Sequence, residues 1–376
     1  MNSEKKIHII CHAIPWPADY GGVVDLFYKL KALHAEGVGI ILHCFLYGQR
    51  KEQKELNKFC EEVHYYKRFT GWKGFSMTKP YIVQSRANPL LLTNLLKDQH
   101  PVLMEGIHCT AFLAPLLRHN KKVFLRLHNV ETLYYNELFK SEKNLFRKLY
   151  YLNESIFLEK YEKKLPQELP VLGVSKNDVS YYKDFLGKIN SMFLPVFIPE
   201  NKITAKKGMG EYCLYHGNLA VIENEKAVLW LLKKVFSKLK IPFIIAGRDP
   251  SSRLQKRASM YGNTKLVPNP TDDELNELIE QAQIHVLPSL NKTGVKLKLI
   301  NALYHGRHCV VNDSAVEGSG MEAACHIGTN KKAIASIIMQ LYRQPFTEEE
   351  ILLREKILPA IFDNEKNARQ LIQWIW

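Results

Sequence analysis

Two segments combine glycine with charge in an order that suits an anionic ligand. Pro15-Trp-Pro-Ala-Asp-Tyr-Gly-Gly22 lies between an apolar run, Ile7–Cys11, and a helical pattern over Gly22–Glu36. Gly21 and Gly22 lack a Cβ, so backbone can approach a ligand closely, and a helix start offers unpaired N–H groups and partial positive charge. A tight strand-to-helix turn is the plainer reading, but two adjacent glycines exceed what such a turn needs. The second segment is Ser289-Leu-Asn-Lys-Thr-Gly-Val-Lys-Leu-Lys-Leu-Ile-Asn301, after a strand-like run ending at Leu287. Gly294 stands at a helix start, with Lys296 and Lys298 in the first turns. Lysines there oppose the helix macrodipole, and a diphosphate between them relieves that conflict. An amphipathic helix with solvated lysines accounts for the same spacing equally well. Asn301, three residues past Lys298, adds a polar amide on the same face.

No Asp-x-Asp element and no metal-ligand spacing of His, Cys and carboxylate accompanies these segments. The seven cysteines are scattered, without a Cys-x-x-Cys pair, and read as buried thiols.

The elements that must position these residues follow from periodicity. The first half alternates strands (Ile7–Cys11, Val38–Phe45, Glu62–Tyr66, Val102–Met104, Val123–Leu127, Val171–Val174) with helical stretches, including a long one over 143–165. Such alternation implies right-handed crossovers and a parallel sheet. Residues 193–210 are rich in Pro, Gly and Lys and read as a linker. Strands then resume at Tyr212–His216, Phe243–Ala246, Lys265–Val267, His285–Leu287 and His308–Val311, with helices from about Asn224, Ser251, Asp272, Val295 and Lys331. The fold class is α/β, two Rossmann-like doubly wound domains facing across a cleft. The expected parts are a domain over 1–195, a second Rossmann-like domain over 196–355, and a helix over 356–376 packing back on the first domain. Ligands of such sheets gather at the carboxyl ends of the strands.

With 376 residues, a formal charge of +14 and 24% charged residues, the chain is globular and asks for an anionic partner. No nucleic-acid module is recognisable, so nucleic acid is set aside. Ile7–Cys11 is too brief for a signal peptide, and no run approaches the ~18 apolar residues of a membrane helix. A cytoplasmic place is expected. The span 139–165 interleaves Lys140, Lys143, Arg147, Lys148, Lys160, Lys163 and Lys164 with Phe146, Tyr150, Tyr151, Phe157 and Tyr161. A solvated helix face over core aromatics is the preferred reading; a peripheral surface for the inner face of an anionic membrane, or for a lipid-linked acceptor, is the other.

One segment makes a family resemblance specific: Arg126-Leu-His-Asn-Val-Glu131. With Pro15…Gly21-Gly22, Lys160-Tyr-Glu162, Val174-Ser175, Gly217…Asn224, Ala246-Gly247, Leu287-Pro288-Ser289, Gly294…Lys298…Ala302 and Glu317-Gly318, in this order, the chain resembles retaining family 4 (group 1) glycosyltransferases of the GT-B fold. The resemblance implies transfer of a hexose from a UDP- or GDP-sugar, bound by the domain over 196–355, to a saccharide or lipid-linked saccharide in surface glycan synthesis, with no metal and no cofactor. It implies that Gly21, Gly22, Gly217 and Asn218 border the donor, that Lys298, with Lys296 or Arg248, meets the diphosphate, and that Val267 and Pro268 lie beside the base. His128, or Glu105 or His108 after the fourth strand, would face the sugar; a buried core histidine is the alternative for each ring. The departures matter. Relatives carry two glutamates flanking the glycine segment, and here those positions are Thr293 and Asn301. The Arg after the glycine that opens the second half is Asn218, and the Lys some residues on is Asn224, with Lys226 nearby. They motivate a competing expectation: a degenerate GT-B protein that binds nucleotide or glycan without transfer.

Overall fold

The computed structural model describes residues 4–19, 21–46, 48 and 50–376. The chain divides into two units, Met1–Pro199 with Phe362–Trp376, and Glu200–Ile361; the sequence pattern places these boundaries at 195/196 and 355/356.

Unit 1 is built on seven strands: β1 Lys6–Cys11, β2 Gly39–Leu46, β3 Glu62–Lys67, β4 Val102–Glu105, β5 Val123–Leu127, β6 Val171–Gly173 and β7 Ser191–Phe193. Their order is β3-β2-β1-β4-β5-β6-β7, and the pairs are parallel. The direction of winding reverses between β1 and β4, where His8 aligns with Val102 and Cys11 with Glu105. Strand period puts alternate residues of β1 on opposite faces. Ile7, Ile9 and Cys11 pack with Leu26, Leu30 and Leu33 of helix Gly21–Ala35 and with Ala368, Leu371 and Ile375 of helix Asn364–Ile375. Ile10 joins Met104, Leu125, Leu158 and Tyr182 on the other face. Both faces are therefore apolar, as a parallel sheet between helices requires.

The helix Asn364–Ile375 belongs to this core. Asp363 caps it by accepting from Lys366 N at 2.9 Å. Asn364 exchanges two hydrogen bonds with the backbone of Ile198, at 2.7 and 3.1 Å, and Lys122 Nζ donates to the Ile375 carbonyl at 2.7 Å.

Unit 2 repeats the plan with β8 Tyr212–His216, β9 Phe243–Gly247, β10 Thr264–Pro268, β11 Ala282–Val286, β12 His308–Val311 and β13 His326–Ile327, ordered β10-β9-β8-β11-β12-β13, all parallel. The reversal lies between β8 and β11. A capping box fixes the start of helix Asp272–Gln281: Glu274 N donates to the Thr271 hydroxyl and Thr271 N to Glu274 Oε2.

Several sequence expectations are corrected. The linker placed at 193 begins later: Phe193 pairs in β7, and Leu194, Val196, Phe197 and Ile198 are buried. Strands β7 and β13, three and two residues long, are too short to show a period. The helix expected over 143–165 is the second arm of a hairpin, Glu131–Ser141 with Leu145–Lys163. Strand β11 starts at Ala282 rather than His285, directly after a helix. Six of the seven cysteines are buried, and Cys325 is half-buried.

Candidate functional site

In unit 2 the loops after β8, β9, β10 and β11 rise from one end of the sheet. Gly217 follows β8 with φ +147°, a conformation that side-chain-bearing residues rarely adopt. Gly247 ends β9, and a Cβ there would stand 1.9 Å from the Gly217 carbonyl oxygen, so only glycine lets these backbones meet. Against this bare backbone lies Lys298. Its Nζ donates to Tyr215 Oη at 2.8 Å and to Asn224 Oδ1 at 2.8 Å, 4.5 Å from the Tyr215 ring centroid. Both hydrogen-bond partners are neutral. Burial, reinforced by the nearby Lys296 ammonium and only partly opposed by Glu223, lowers the Lys298 pKa to about 7. A half-buried ammonium held by a phenol and an amide is positioned for an anion that arrives from outside.

Lys298 sits in the first turn of helix Leu297–His305, whose N-cap, Lys296, makes no side-chain cap. The loop before it is locked by its own polar groups. Ser289 and Asn312 exchange two hydrogen bonds of 2.8 Å, and Asn291 Oδ1 accepts from Thr293 N at 2.8 Å and from Thr293 Oγ1 at 2.9 Å. Thr293, one of the two glutamate replacements, is thus buried as a loop brace. Gly294 follows with φ +65°, and Lys296 Nζ folds back to the Thr293 carbonyl at 2.6 Å.

Asn301, the other replacement, donates to Glu200 Oε1 at 3.3 Å, and its own Oδ1 is buried without a hydrogen-bond partner. Burial raises the Glu200 pKa, and the Asn301 hydrogen bond lowers it in part. A carboxylate therefore does stand beside position 301, supplied by the first residue of unit 2. Val267 and Pro268 end β10, in register with Ala246 and Gly247. Arg248, exposed after β9, accepts Leu219 N on its carbonyl at 2.9 Å. Asn218 is exposed, and its carbonyl accepts from Asn224 Nδ2 at 2.8 Å.

In unit 1 the carboxyl ends of β1, β4 and β5 bring together His12, Glu105, His108 and His128. Beneath them lies a buried ion cluster. Lys29 Nζ donates to Asp25 Oδ2 at 3.1 Å and Glu105 Oε1 at 2.7 Å. Arg126 Nη2 donates to Asp25 Oδ1 at 3.2 Å and to the Pro195 carbonyl at 2.9 Å, while Nη1 holds the Leu194 carbonyl. Phe197 N also donates to Asp25 Oδ1, at 2.7 Å. Burial alone would raise both carboxylates; Arg126 and Lys29 outweigh it at Asp25, and Lys29 and His128 do so at Glu105, leaving each below its ordinary range. Two acids and two bases balance, which is what makes this burial tolerable.

His128 caps the cluster. Its Nε2 lies 3.1 Å from Glu105 Oε2 and its Nδ1 3.6 Å from Asp25 Oδ2, so both ring nitrogens face carboxylates. Glu105 is fully buried and engaged by Lys29 and His128. His108 and His12 differ: their rings lie 5.4 Å apart, and His12 is 5.9 Å from His128. Burial, then the His128 and Arg86 charges, lowers the His12 pKa to about 3; burial, Arg86 and His12 hold His108 well below its ordinary value. Both rings are neutral at pH 7 and able to donate one hydrogen bond and accept another, which suits sugar hydroxyls. His12 Nδ1 is buried without a hydrogen-bond partner. Gly106, at φ +89°, leaves room for His108: a Cβ would lie 3.1 Å from the His108 Nδ1. Gly21 and Gly22 open helix Gly21–Ala35, which carries Asp25 and Lys29.

Sequence reasoning missed His12, Asp25, Lys29, Arg86 and Glu200. His12 was findable, since it follows β1 as His128 follows β5. Asp25 and Lys29 have the i,i+4 spacing common to surface pairs, and nothing in that spacing signals burial. The structure also gathers two trios of metal-ligand type that no spacing rule reveals, Asp25–Glu105–His128 and His308–His326–Glu350. In the first, the Lys29 ammonium already bonds both carboxylates, the place a metal would take.

Comparison with known proteins accords with this architecture. Residues 210–344 match the family model described as glycosyl transferases group 1. A Klebsiella pneumoniae protein described as an uncharacterized 44.6 kDa protein in the cps region is 29% identical over 335 residues, 84% of each chain. Among solved structures, S. aureus TarM, in complex with UDP and alpha-GlcNAc-glycerol, superposes with a TM-score of 0.69 at 12% identity over 99% of both chains. A Rickettsia africae glycosyltransferase gives 0.65 at 14% identity, over 100% of this chain and 98% of that one. The fold is GT-B, and the residues that match the group 1 model lie within unit 2.

Proposed function

We propose that this GT-B glycosyltransferase moves a hexose, with retention of configuration, from a UDP- or GDP-sugar to a saccharide or lipid-linked saccharide in surface glycan synthesis. The observation that carries the reading is Lys298: a half-buried ammonium with only neutral hydrogen-bond partners, against the bare backbone of Gly217. In the transfer, the bond between the anomeric carbon and the diphosphate oxygen breaks with its electron pair going to the diphosphate. The acceptor oxygen bonds the anomeric carbon and gives its proton to the departing diphosphate oxygen. Charge grows on the leaving group, so a preorganised cation there lowers the barrier most. Lys298 fills that role, with Lys296 and Arg248 as further cations and no metal required. Val267 and Pro268 lie beside the base, and Asn301 with Glu200 receives the ribose hydroxyls. In unit 1, Gly21 and Gly22 form an anion-facing helix start. His108 and His12 hydrogen-bond hydroxyls, and Glu105 and His128 position them from below. The UDP in the TarM complex and the cps-region relative support the donor and pathway class.

The departures at Thr293 and Asn301 keep a second reading, binding without transfer. Calorimetry and thermal unfolding with UDP, GDP and ADP test the first. A ligand at ~100 times its Kd adds ~2.7 kcal/mol, and no shift with any of the three refutes a conventional donor site. Slow hydrolysis of the matching nucleotide sugar supports transfer; tight binding with no turnover supports the second reading.

A peripheral membrane contact belongs to the same proposal. Leu145, Phe146 and Leu149 are exposed at the start of helix Leu145–Lys163, Phe146 by 84%, amid exposed Lys140, Lys143 and Arg147. Trp72 and Met77 are exposed on a loop whose end is tied to that helix by Tyr81 N and Ile82 N donating to Glu154. Apolar residues ringed by cations fit an anionic lipid surface. Among the described residues no helix is long and apolar enough to cross a membrane. Sedimentation with phosphatidylglycerol vesicles, against phosphatidylcholine alone, tests it; equal binding to both refutes the charge argument.

A further inference from the structure

At the amino ends of β12 and β13, the sheet edge opposite the Lys298 loops, three side chains converge: His308 and His326, each opening its strand, and Glu350 from the first turn of helix Glu348–Ile361. His308 Nε2 lies 3.2 Å from the Gln344 carbonyl, which only accepts, so that nitrogen carries the proton. In the neutral ring Nδ1 then presents a lone pair to Glu350 Oε1, 3.0 Å away. Two acceptors at that distance need a positive species between them.

A proton on Nδ1 would serve one ring. The geometry contains a second: His326 Nε2 is 3.8 Å from the same oxygen, and the three ligand atoms all lie within 4.8 Å of one another. Bonds of ~2.0–2.1 Å at tetrahedral angles place ligand atoms about 3.4 Å apart, between the separations of 3.0 and 3.8 Å from Glu350 Oε1 to the two rings. Anchoring of the far imidazole nitrogen by a backbone carbonyl is how metal-binding histidines are oriented. Glu350 Oε2 is occupied, accepting Thr347 N at 2.9 Å, which leaves Oε1 as a single donor atom. Phe346 packs on the His308 ring at 5.2 Å, and His326 is partly exposed, giving a route for the ion and a place for water. The cation one turn on, Arg354, is spent on the carbonyls of Leu303, Gly306 and Arg307.

We propose that His308, His326 and Glu350 bind one divalent transition-metal ion of the zinc class, with water completing four-coordination, as a brace between helix Glu348–Ile361 and the sheet edge. Two imidazoles and a carboxylate select Zn(II) or Co(II) over Mg(II) or Ca(II).

The test is titration of the tag-free full chain with Co(II), read by visible absorption and followed by displacement with Zn(II). One equivalent should give the bands of a four-coordinate site. Affinity should fall about 100-fold or more in His326→Ala, since loss of even outer-shell partners costs ~10–100-fold. His326 is partly exposed, so this variant keeps its fold, checked by circular dichroism; Glu350→Gln should behave alike, and His128→Ala should bind as the unaltered chain does. Absence of a saturable band, an affinity unchanged by His326→Ala, or a band lost only in His128→Ala overturns the proposal and leaves the His308–Glu350 contact to a proton.

Discussion

Replacement of Lys298 tests the donor site and its electrostatics together. Because burial and Lys296 set the Lys298 pKa near 7 in the empty protein, a diphosphate that requires the ammonium must recruit a proton above that pH. The apparent Kd then scales as 1 + 10^(pH − pKa), about 1.1 at pH 6 and about 11 at pH 8, a tenfold weakening worth about 1.4 kcal/mol. A nucleotide sugar is the right probe, since its diphosphate diester keeps both charges across this range. Calorimetry at pH 7 in two buffers of different ionisation enthalpy should show uptake of about half a proton. Lys298→Ala should remove both the pH slope and a charge-assisted hydrogen bond of ~1.5–3 kcal/mol, weakening binding ~10–150-fold at pH 6. Equal affinity at pH 6 and 8, or a variant indistinguishable from the parent chain, refutes the assignment.

The same residue predicts an opposite effect on the empty protein. The folded pKa is depressed below an unfolded value of ~10.4, so the unfolded chain binds the extra proton and stability rises with pH between about 7 and about 10. Lys298→Met should therefore raise Tm at pH 6–7 without ligand; a lower Tm argues against the burial penalty. Gly247→Ala, with its Cβ against the Gly217 carbonyl, should cost about 1–3 kcal/mol or more in urea unfolding and weaken nucleotide binding. Arg126→Ala removes one of the two bases that balance buried Asp25 and Glu105, leaving Lys29 shared between both acids, and should destabilise by about 3–5 kcal/mol, whereas an exposed Arg369→Ala should lie within ~0.5 kcal/mol. His108→Ala should lower turnover or acceptor binding while leaving nucleotide affinity unchanged in calorimetry; a matching loss of nucleotide affinity argues against its role.

The parallel architecture was legible because buried strands separated by amphipathic helices leave a strong periodic trace, as at Ile7–Cys11 and Tyr212–His216. The edges were not: β7 and β13 show no period, and Leu194–Ile198 looks like linker until Arg126 reaches across the sheet for its carbonyls. For the candidate site, glycines and Lys298 were visible because they recur at strand-to-helix turns. The ion cluster was invisible because Asp25, Lys29, Glu105 and Arg126 come from three separate elements, and only folding tells a buried charge from a solvated one. The Arg126–Glu131 segment shows the mixture: Arg126 braces the interior, His128 closes the cluster, and Glu131, buried beside Glu162, has its pKa raised to about 8.

Unit 1 is interrupted: Glu200–Ile361 is threaded between its two pieces. During synthesis the ribosome completes all of unit 2 before it releases the segment that supplies Ala368, Leu371 and Ile375. At ~5–20 residues per second that is a wait of roughly ten to thirty seconds. For that interval Leu26, Leu30 and Leu33 lack their covering helix, a surface that chaperones bind. A chain ending before residue 362 would keep an intact unit 2 and never close unit 1, so truncation should yield a protein that is recognised and degraded.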